Sequence, residues 1–142
     1  MYEDVRNKIE ASRKGQAHSI RLSGRWVGLT GPMLFNVLMP IWRSRVQNVT
    51  DVVNPERISG LRAFSADGDA AFVYGLQWFG AIPGDAMESV FEMLFTDGTL
   101  IETGAVDSCT ETELEIKVWS QKRPDQPLIN EIESALRSLA RD

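Results

Sequence analysis

Strict alternation of apolar and polar residues predicts β-strands in the second half of the chain. Across residues 111–120, Leu114, Ile116 and Val118 point to one side and the residues between them point to the other, which is typical of a strand with one buried face. Residues 70–79 are rich in aromatic and β-branched side chains and also favour a strand. These segments predict an antiparallel sheet.

The Asp97-Gly98 pair predicts a tight hairpin between two further strands. A two-residue turn at this point pairs Phe95 with Leu100 and places both side chains on the core face of the sheet. Met87 to Phe95 also contains apolar residues at helical spacing, so a helix and a strand both stay open for this segment. We favour a strand from about residue 90, because the second strand of the hairpin needs a partner.

Helical patterns flank the strands at both ends of the chain. Residues 2–14 carry acidic side chains at the start and basic side chains at the end, which complement the helix dipole. Near the other end, Asp125 or Gln126 caps a helix that Pro127 opens, and the apolar stripe of this helix predicts packing on the sheet. Met33 to Ile41 is apolar on all sides and fits a helix or a buried strand equally well.

The elements together predict one α+β domain that spans residues 1–142. Its core is an antiparallel β-sheet of about five or six strands, with the N-terminal helix at the edge and the C-terminal helix packed on one face. A length of 142 residues, with 43% hydrophobic and 25% charged residues, is ordinary for a single globular domain.

Cysteine content and hydropathy predict a cytoplasmic protein that does not cross a membrane. Cys109 is the only cysteine, so the chain forms no internal disulfide, and the first ten residues are charged where a signal peptide is apolar. The longest apolar stretch, residues 32–42, is well short of the ~20 residues that a membrane span requires.

Charge is distributed unevenly along the chain. Residues 1–62 contain 10 Lys and Arg against 5 Asp and Glu, whereas residues 63–142 contain 5 against 15. The two halves either form a surface with separated charges or interleave in the fold so that the charges mix. We favour mixing, because sequence halves of one domain rarely form separate faces.

Residues that carry most enzyme chemistry are sparse. His18 is the only histidine, and no Ser, Cys or carboxylate stands near it at a spacing known for catalysis. No paired His or Cys spacing suits a metal, and residues 80–84 lack the lysine of a phosphate-binding loop. The sequence therefore predicts no catalytic residue, metal or cofactor and favours a protein that is not an enzyme. The net charge of −5 disfavours nucleic acid as a partner.

The polar side of residues 111–120 is the most organised surface in the sequence. Glu111, Glu113 and Glu115, followed by Lys117, alternate along it, and alternate residues of a strand lie ~6.6 Å apart on one face. Trp119 ends the same face with an apolar ring. Charge and ring together fit a basic protein partner, whereas a solvated strand face protected from aggregation is the simpler interpretation.

These observations predict a non-catalytic protein-binding domain with an acidic face. An inhibitor or immunity-type protein that masks a basic toxin or nuclease is one concrete instance. The alternative is a small-ligand-binding or hydrolytic domain, whose pocket lies between the sheet and a helix. That pocket is lined by aromatic side chains, namely Trp42, Tyr74, Trp78 and Phe79.

Overall fold

The computed structural model of the chain describes residues 2–24, 31–52, 62–78, 87–106, 113–120 and 125–140. Within these ranges the helices are α1 (Tyr2–Ser12), α2 (Gly31–Arg43) and α3 (Gln126–Arg137). The strands are β1 (Gln16–Ser23), β2 (Thr50–Val52), β3 (Arg62–Ala66), β4 (Ala70–Trp78), β5 (Met87–Leu94), β6 (Leu100–Val106) and β7 (Glu113–Ser120).

The strands form one antiparallel sheet in the order β1-β7-β6-β5-β4-β3-β2. This arrangement confirms the α+β class, with helices near both ends of the described chain. The sheet has seven strands rather than five or six, because β2 and β3 are too short to show a recognisable alternation. Pairing of β1 with β7 brings the start and the end of the chain side by side.

The main core lies between the sheet and the pair of helices α2 and α3. Alternate residues of the central strands are buried against the apolar faces of both helices, which confirms that the C-terminal helix packs on one face. The Asp125 side chain accepts a hydrogen bond from the Leu128 amide and Pro127 lies in the first turn of α3, as the sequence indicates. The largest fully buried side chains of this core include Trp42, Phe72, Phe91, Leu34, Leu38 and Met93.

Helix α1 packs on the opposite face of the sheet, so the expectation that it lies at the edge was wrong. Its buried side chains, Val5 and Ile9, contact a second apolar cluster formed by the sheet. Ala63 and Ala71 belong to that cluster, and their small side chains leave room for the helix to approach. The thin apolar stripe therefore lies on the face of the sheet and not at its edge.

Met33 to Ile41 belongs to helix α2, which settles the first open assignment. The side facing the core contains buried residues such as Leu34 and Leu38, whereas Asn36 and Pro40 are exposed. Pro40 cannot donate a backbone hydrogen bond, and it lies on the solvent side of the helix. The helix is apolar along most of its length although only one side is buried, so its sequence does not show which side faces the core.

Met87 to Leu94 forms strand β5, which settles the second open assignment, but the hairpin register differs from the expected one. Leu94 pairs with Leu100, and the amide of Phe95 donates to the carbonyl of Thr99 at 2.9 Å. The loop therefore has three residues and ends at Gly98, whose φ of 89° is left-handed. This change of one residue places Leu100 on the α1 side of the sheet, opposite to the expected face.

Candidate functional site

Strand β7 separates a buried side from a polar side as the sequence predicts. Leu114, Ile116 and Val118 are buried in the main core, and Glu115 is exposed on the other face. Glu113 lies in β7 two residues earlier, although the structure does not describe its side chain, and Glu111 lies outside the described residues. The exposed position of Glu115 is therefore observed, whereas the placement of Glu111 and Glu113 on the same face stays a prediction.

The neighbouring edge strand β1 extends this polar surface. In the register, Arg21 lies opposite Glu115, Ser19 opposite Lys117 and Ala17 opposite Trp119. The three β1 residues are exposed. We call this surface the open face; it comprises Ala17, Ser19, Arg21, Glu115, Lys117 and Trp119. Its described side chains include two basic residues, Lys117 of β7 and Arg21 of β1, so the described surface is mixed in charge where the sequence predicted an acidic face.

Trp119 is half-buried at the boundary between the open face and helix α1. Its indole Nε1 donates a hydrogen bond to Glu102 Oε2 at 3.2 Å, and the Lys117 ammonium lies 5.9 Å from the ring centroid. The ring also packs against the apolar cluster that contains Val5 and Ile9. Polar and apolar contacts therefore both restrict its orientation, so that part of the ring faces solvent in a defined position.

Sequence reasoning missed a pair of glutamates beneath α1. Glu92 of β5 lies directly opposite Glu102 of β6, and only 6% of Glu92 is exposed. Like charges in this position repel each other. Two arginines of or next to α1 offset the repulsion: Arg6 contacts Glu92 at 3.0 Å, and Arg13 contacts both glutamates. We call Arg6, Arg13, Glu92 and Glu102 the arginine clamp.

Burial and charge compete within the arginine clamp. Burial raises the pKa of Glu92 above its ordinary value, although the charges of Arg13 and Arg6 lower it. Burial alone would lower the pKa of Arg13, but the hydrogen bond to Glu102 and the nearby carboxylates raise it. Every member of the clamp thus has a charged partner, and the arrangement holds α1 on the sheet.

One sequence signal could have revealed the clamp. Glu92 interrupts an apolar run between Phe91 and Met93, and a carboxylate at an inward position of a strand requires a partner. The expected register, which paired Phe95 with Leu100, also placed Met93 opposite Glu102, so it did not bring the two glutamates together. The true register has the three-residue loop that ends at Gly98.

Charges from the two halves of the chain pair with each other in the fold. Arg13 contacts Glu92, and the Lys8 ammonium lies 3.0 Å from Asp69. Arg45 of the N-terminal half contacts Glu131 of α3 at 2.6 Å. These ion pairs support the interpretation that the charges of the two halves mix in the described part of the fold.

The residues proposed to line an aromatic pocket occupy different environments. Trp42 is fully buried, and its Nε1 donates to the carbonyl of Leu94 at 3.0 Å. Tyr74 is half-buried and stacks on Phe91 with a centroid separation of 5.2 Å. Phe72 contacts both Trp42 and Phe91, so Trp42 and Tyr74 belong to one ring cluster. Trp78 lies in β4 without a described side chain, and Phe79 lies outside the described residues.

A depression of about 340 Å³ lies between α1 and the two loops that precede β4 and β6. Lys8 and Ser12 line it from the helix, and Asp69 and Asp97 line it from the loops. Lys8 is paired with Asp69, and Asp97 accepts a hydrogen bond from the Thr99 amide at 3.0 Å. The Lys8–Asp69 pair therefore joins α1 to the loop before β4, and the Asp97 hydrogen bond stays within the loop before β6.

Within the described ranges, the structure contains no group of three or more His, Cys, Asp or Glu side chains that could hold a metal ion. No helix in the described part of the chain has the length and apolar character needed to span a membrane. Comparison with protein-family models and with curated proteins finds no match to this sequence.

Proposed function

We propose that the protein is a non-catalytic protein-binding domain whose partner is basic and binds at the open face. The observation that carries the proposal is Trp119, a half-buried ring held at the border of an exposed strand pair by Glu102 and Lys117. Tryptophan residues in such positions often contribute most of the binding free energy of an interface.

The packing around Trp119 favours binding. A ring whose orientation is already restricted loses little conformational freedom when a partner covers it. Ala17 lies opposite Trp119 and Ser19 lies opposite Lys117, and these small exposed side chains leave space for groups of a partner. The open face can thus bury the Trp119 ring without rearrangement of the strands.

The charges of the open face restrict where a basic partner binds. Glu115 is exposed, and Glu113 and Glu111 precede it along the chain. Lys117 lies between Glu115 and Trp119 along β7, so it repels cations from the middle of the face, whereas Arg21 lies directly opposite Glu115 and reduces the negative charge there. We propose that basic groups of the partner lie at the Glu111–Glu115 end and that apolar groups cover Trp119, which gives the interface a defined orientation.

An inhibitor or immunity-type protein that masks a basic toxin or nuclease in the cytoplasm is the concrete form of this proposal. The small size, the net charge of −5 and the single cysteine of the chain support it. Opposite charge also speeds the encounter of two proteins, which suits a protein that must capture its target quickly.

Charge reversal tests the proposal. The variant carrying Glu111→Lys, Glu113→Lys and Glu115→Lys is compared with a control variant carrying Glu3→Lys, Asp51→Lys and Glu133→Lys, which has the same net charge. We expect the wild type and the control to retain the same basic protein from a lysate of the host cell. The open-face variant should bind that protein at least about tenfold more weakly in calorimetry with the purified pair.

Two outcomes contradict the proposal. One is equal retention by both charge-reversed variants, because the carboxylates of residues 111–115 would then have no role in binding. The other is a wild-type protein that retains no partner above the level of the bare resin.

A further inference from the structure

We infer that helix α1 regulates the open face through an exchange of ion pairs at Glu102. The inference rests on the proposed function for the role of the open face, but the contacts that carry it lie within this chain. Three side chains are involved besides Glu102, namely Arg13, Lys117 and Trp119.

Glu102 links α1 to the open face because one of its carboxylate oxygens binds Arg13 and the other binds Trp119. Oε1 accepts from Arg13 Nε at 2.7 Å and lies 2.5 Å from Arg13 Nη2. Oε2 accepts from Trp119 Nε1 at 3.2 Å. A carboxylate that is fixed by Arg13 therefore also fixes the tryptophan of the open face.

Lys117 is positioned to replace Arg13 as the cation that binds Glu102. It lies directly opposite Glu102 in the pairing of β6 with β7, and opposed side chains of neighbouring strands are ~5 Å apart at Cβ. In the structure its ammonium instead lies over the Trp119 ring. Lys117 thus has two alternative partners, the Trp119 ring and the Glu102 carboxylate. While Arg13 is bound to Glu102, Lys117 stays over the ring.

Helix α1 depends on charge to stay in place. Val5 and Ile9 are its buried apolar side chains, and the remaining contacts with the sheet and loops include Arg6–Glu92, Arg13–Glu92 and Lys8–Asp69. The loss of Arg13 from Glu102 therefore weakens the attachment of α1 substantially. Glu10 of α1 also contacts Arg6 and Arg13, so the two arginines move together with the helix.

These contacts define two states. With α1 attached, Arg13 occupies Glu102 and Lys117 covers the Trp119 ring. With α1 released, Lys117 turns to Glu102 Oε1 in place of Arg13, whereas Trp119 Nε1 keeps Oε2 as its acceptor, so the ring is uncovered for a partner without losing its orientation. Because coupling between two sites is reciprocal, binding of a partner to Trp119 favours release of α1 to the same extent.

The test uses the isolated full-length chain and needs no partner. Arg13→Gln removes the cation from Glu102, and the control Arg45→Gln removes an ion pair, Arg45–Glu131, that involves neither α1 nor Glu102. Acrylamide quenching of Trp119 fluorescence is measured as the difference between each protein and its Trp119→Phe counterpart. We expect Arg13→Gln to raise the quenching constant of Trp119 about twofold, because a partly covered ring becomes exposed. Arg45→Gln should leave it unchanged.

A reciprocal measurement completes the test. Hydrogen exchange of the α1 amides should be several-fold faster in Trp119→Phe, which leaves Glu102 Oε2 without its donor, than in wild type. Salt provides a second measurement in case Arg13→Gln fails to fold. About 1 M NaCl screens ion pairs, so it should also raise the quenching constant of Trp119 in the wild type. Unchanged Trp119 quenching in both Arg13→Gln and high salt would overturn the inference, as would unchanged exchange of α1 in Trp119→Phe. The proposed function is tested separately, because the charge-reversed variants leave Arg13, Glu102 and Trp119 intact.

Discussion

Trp42→Ala is expected to lower the free energy of unfolding by about 3–5 kcal/mol, the range for truncating a large buried aromatic residue. Trp42 has no exposed surface and contacts Phe72 in the main core. Its removal leaves a cavity and deprives the carbonyl of Leu94 of its donor. Equilibrium unfolding in urea, monitored by circular dichroism, measures the change.

Trp42→Phe separates the two contributions. This variant keeps most of the ring volume but loses the indole Nε1–H, so we expect a smaller loss of about 1–3 kcal/mol from the unpaired Leu94 carbonyl. A residue that lines an open ligand pocket tolerates truncation far better than a core residue does. Wild-type stability in Trp42→Ala would contradict the assignment of Trp42 to the core and would favour the aromatic-pocket alternative.

Arg13→Ala is expected to lower the free energy of unfolding at neutral pH by about 3 kcal/mol, the lower end of the range for breaking a buried ion pair. The variant leaves Glu92 buried beside Glu102 with Arg6 as its remaining cation. Arg13 has 26% of its side chain exposed, which keeps the effect at the lower end. Urea unfolding at a series of pH values measures it.

The destabilisation by Arg13→Ala should depend on pH in a definite direction. Burial already raises the pKa of Glu92 above its ordinary value of 4.5 in the folded wild type, and removal of the Arg13 charge raises it further. Because the pKa of Glu92 is higher in the folded state than in the unfolded state, its protonated form contributes to the free energy of unfolding below the unfolded pKa. That contribution is lost as the pH rises through the folded pKa. The variant should therefore approach wild-type stability near pH 4 and show its full deficit at pH 7.

A double variant serves as the control for this pH dependence. Arg13→Ala combined with Glu92→Gln removes both the cation and the buried carboxylate, so it should recover part of the stability and lose most of the additional pH dependence. An Arg13→Ala deficit that is the same at pH 4 and pH 7 would show that the charge of Glu92 is not its cause.

Local sequence patterns predicted the elements whose burial is one-sided. The alternation of β7 and the capped stripe of α3 both appear in the structure because one face of each contacts the core. Helix α2 was ambiguous, because its exposed residues include Pro32 and Pro40, which are not strongly polar. Its packing against the sheet, not its own pattern, distinguishes helix from strand.

The candidate sites depended on contacts that join distant parts of the chain. The sequence pointed to Glu115 and Trp119, but pairing of β1 with β7 brings Arg21 to the same surface from almost one hundred residues away. The arginine clamp likewise needs the hairpin register and the placement of α1 on the sheet. No local pattern contains either piece of information, so the sequence could show Lys117 beside the glutamates but not Arg21 opposite Glu115.

Site-specific photocrosslinking inside the host cell tests the binding function of the open face most directly. A photoreactive amino acid at Ser19, an exposed residue of the open face, is compared with one at Ser134, an exposed residue of α3. We expect Ser19 to yield a discrete adduct with a basic protein, absent at Ser134 and lost when Glu111, Glu113 and Glu115 are changed to Lys. The same adducts at both positions, or a Ser19 adduct that survives charge reversal, would contradict the assignment of this face as the partner site.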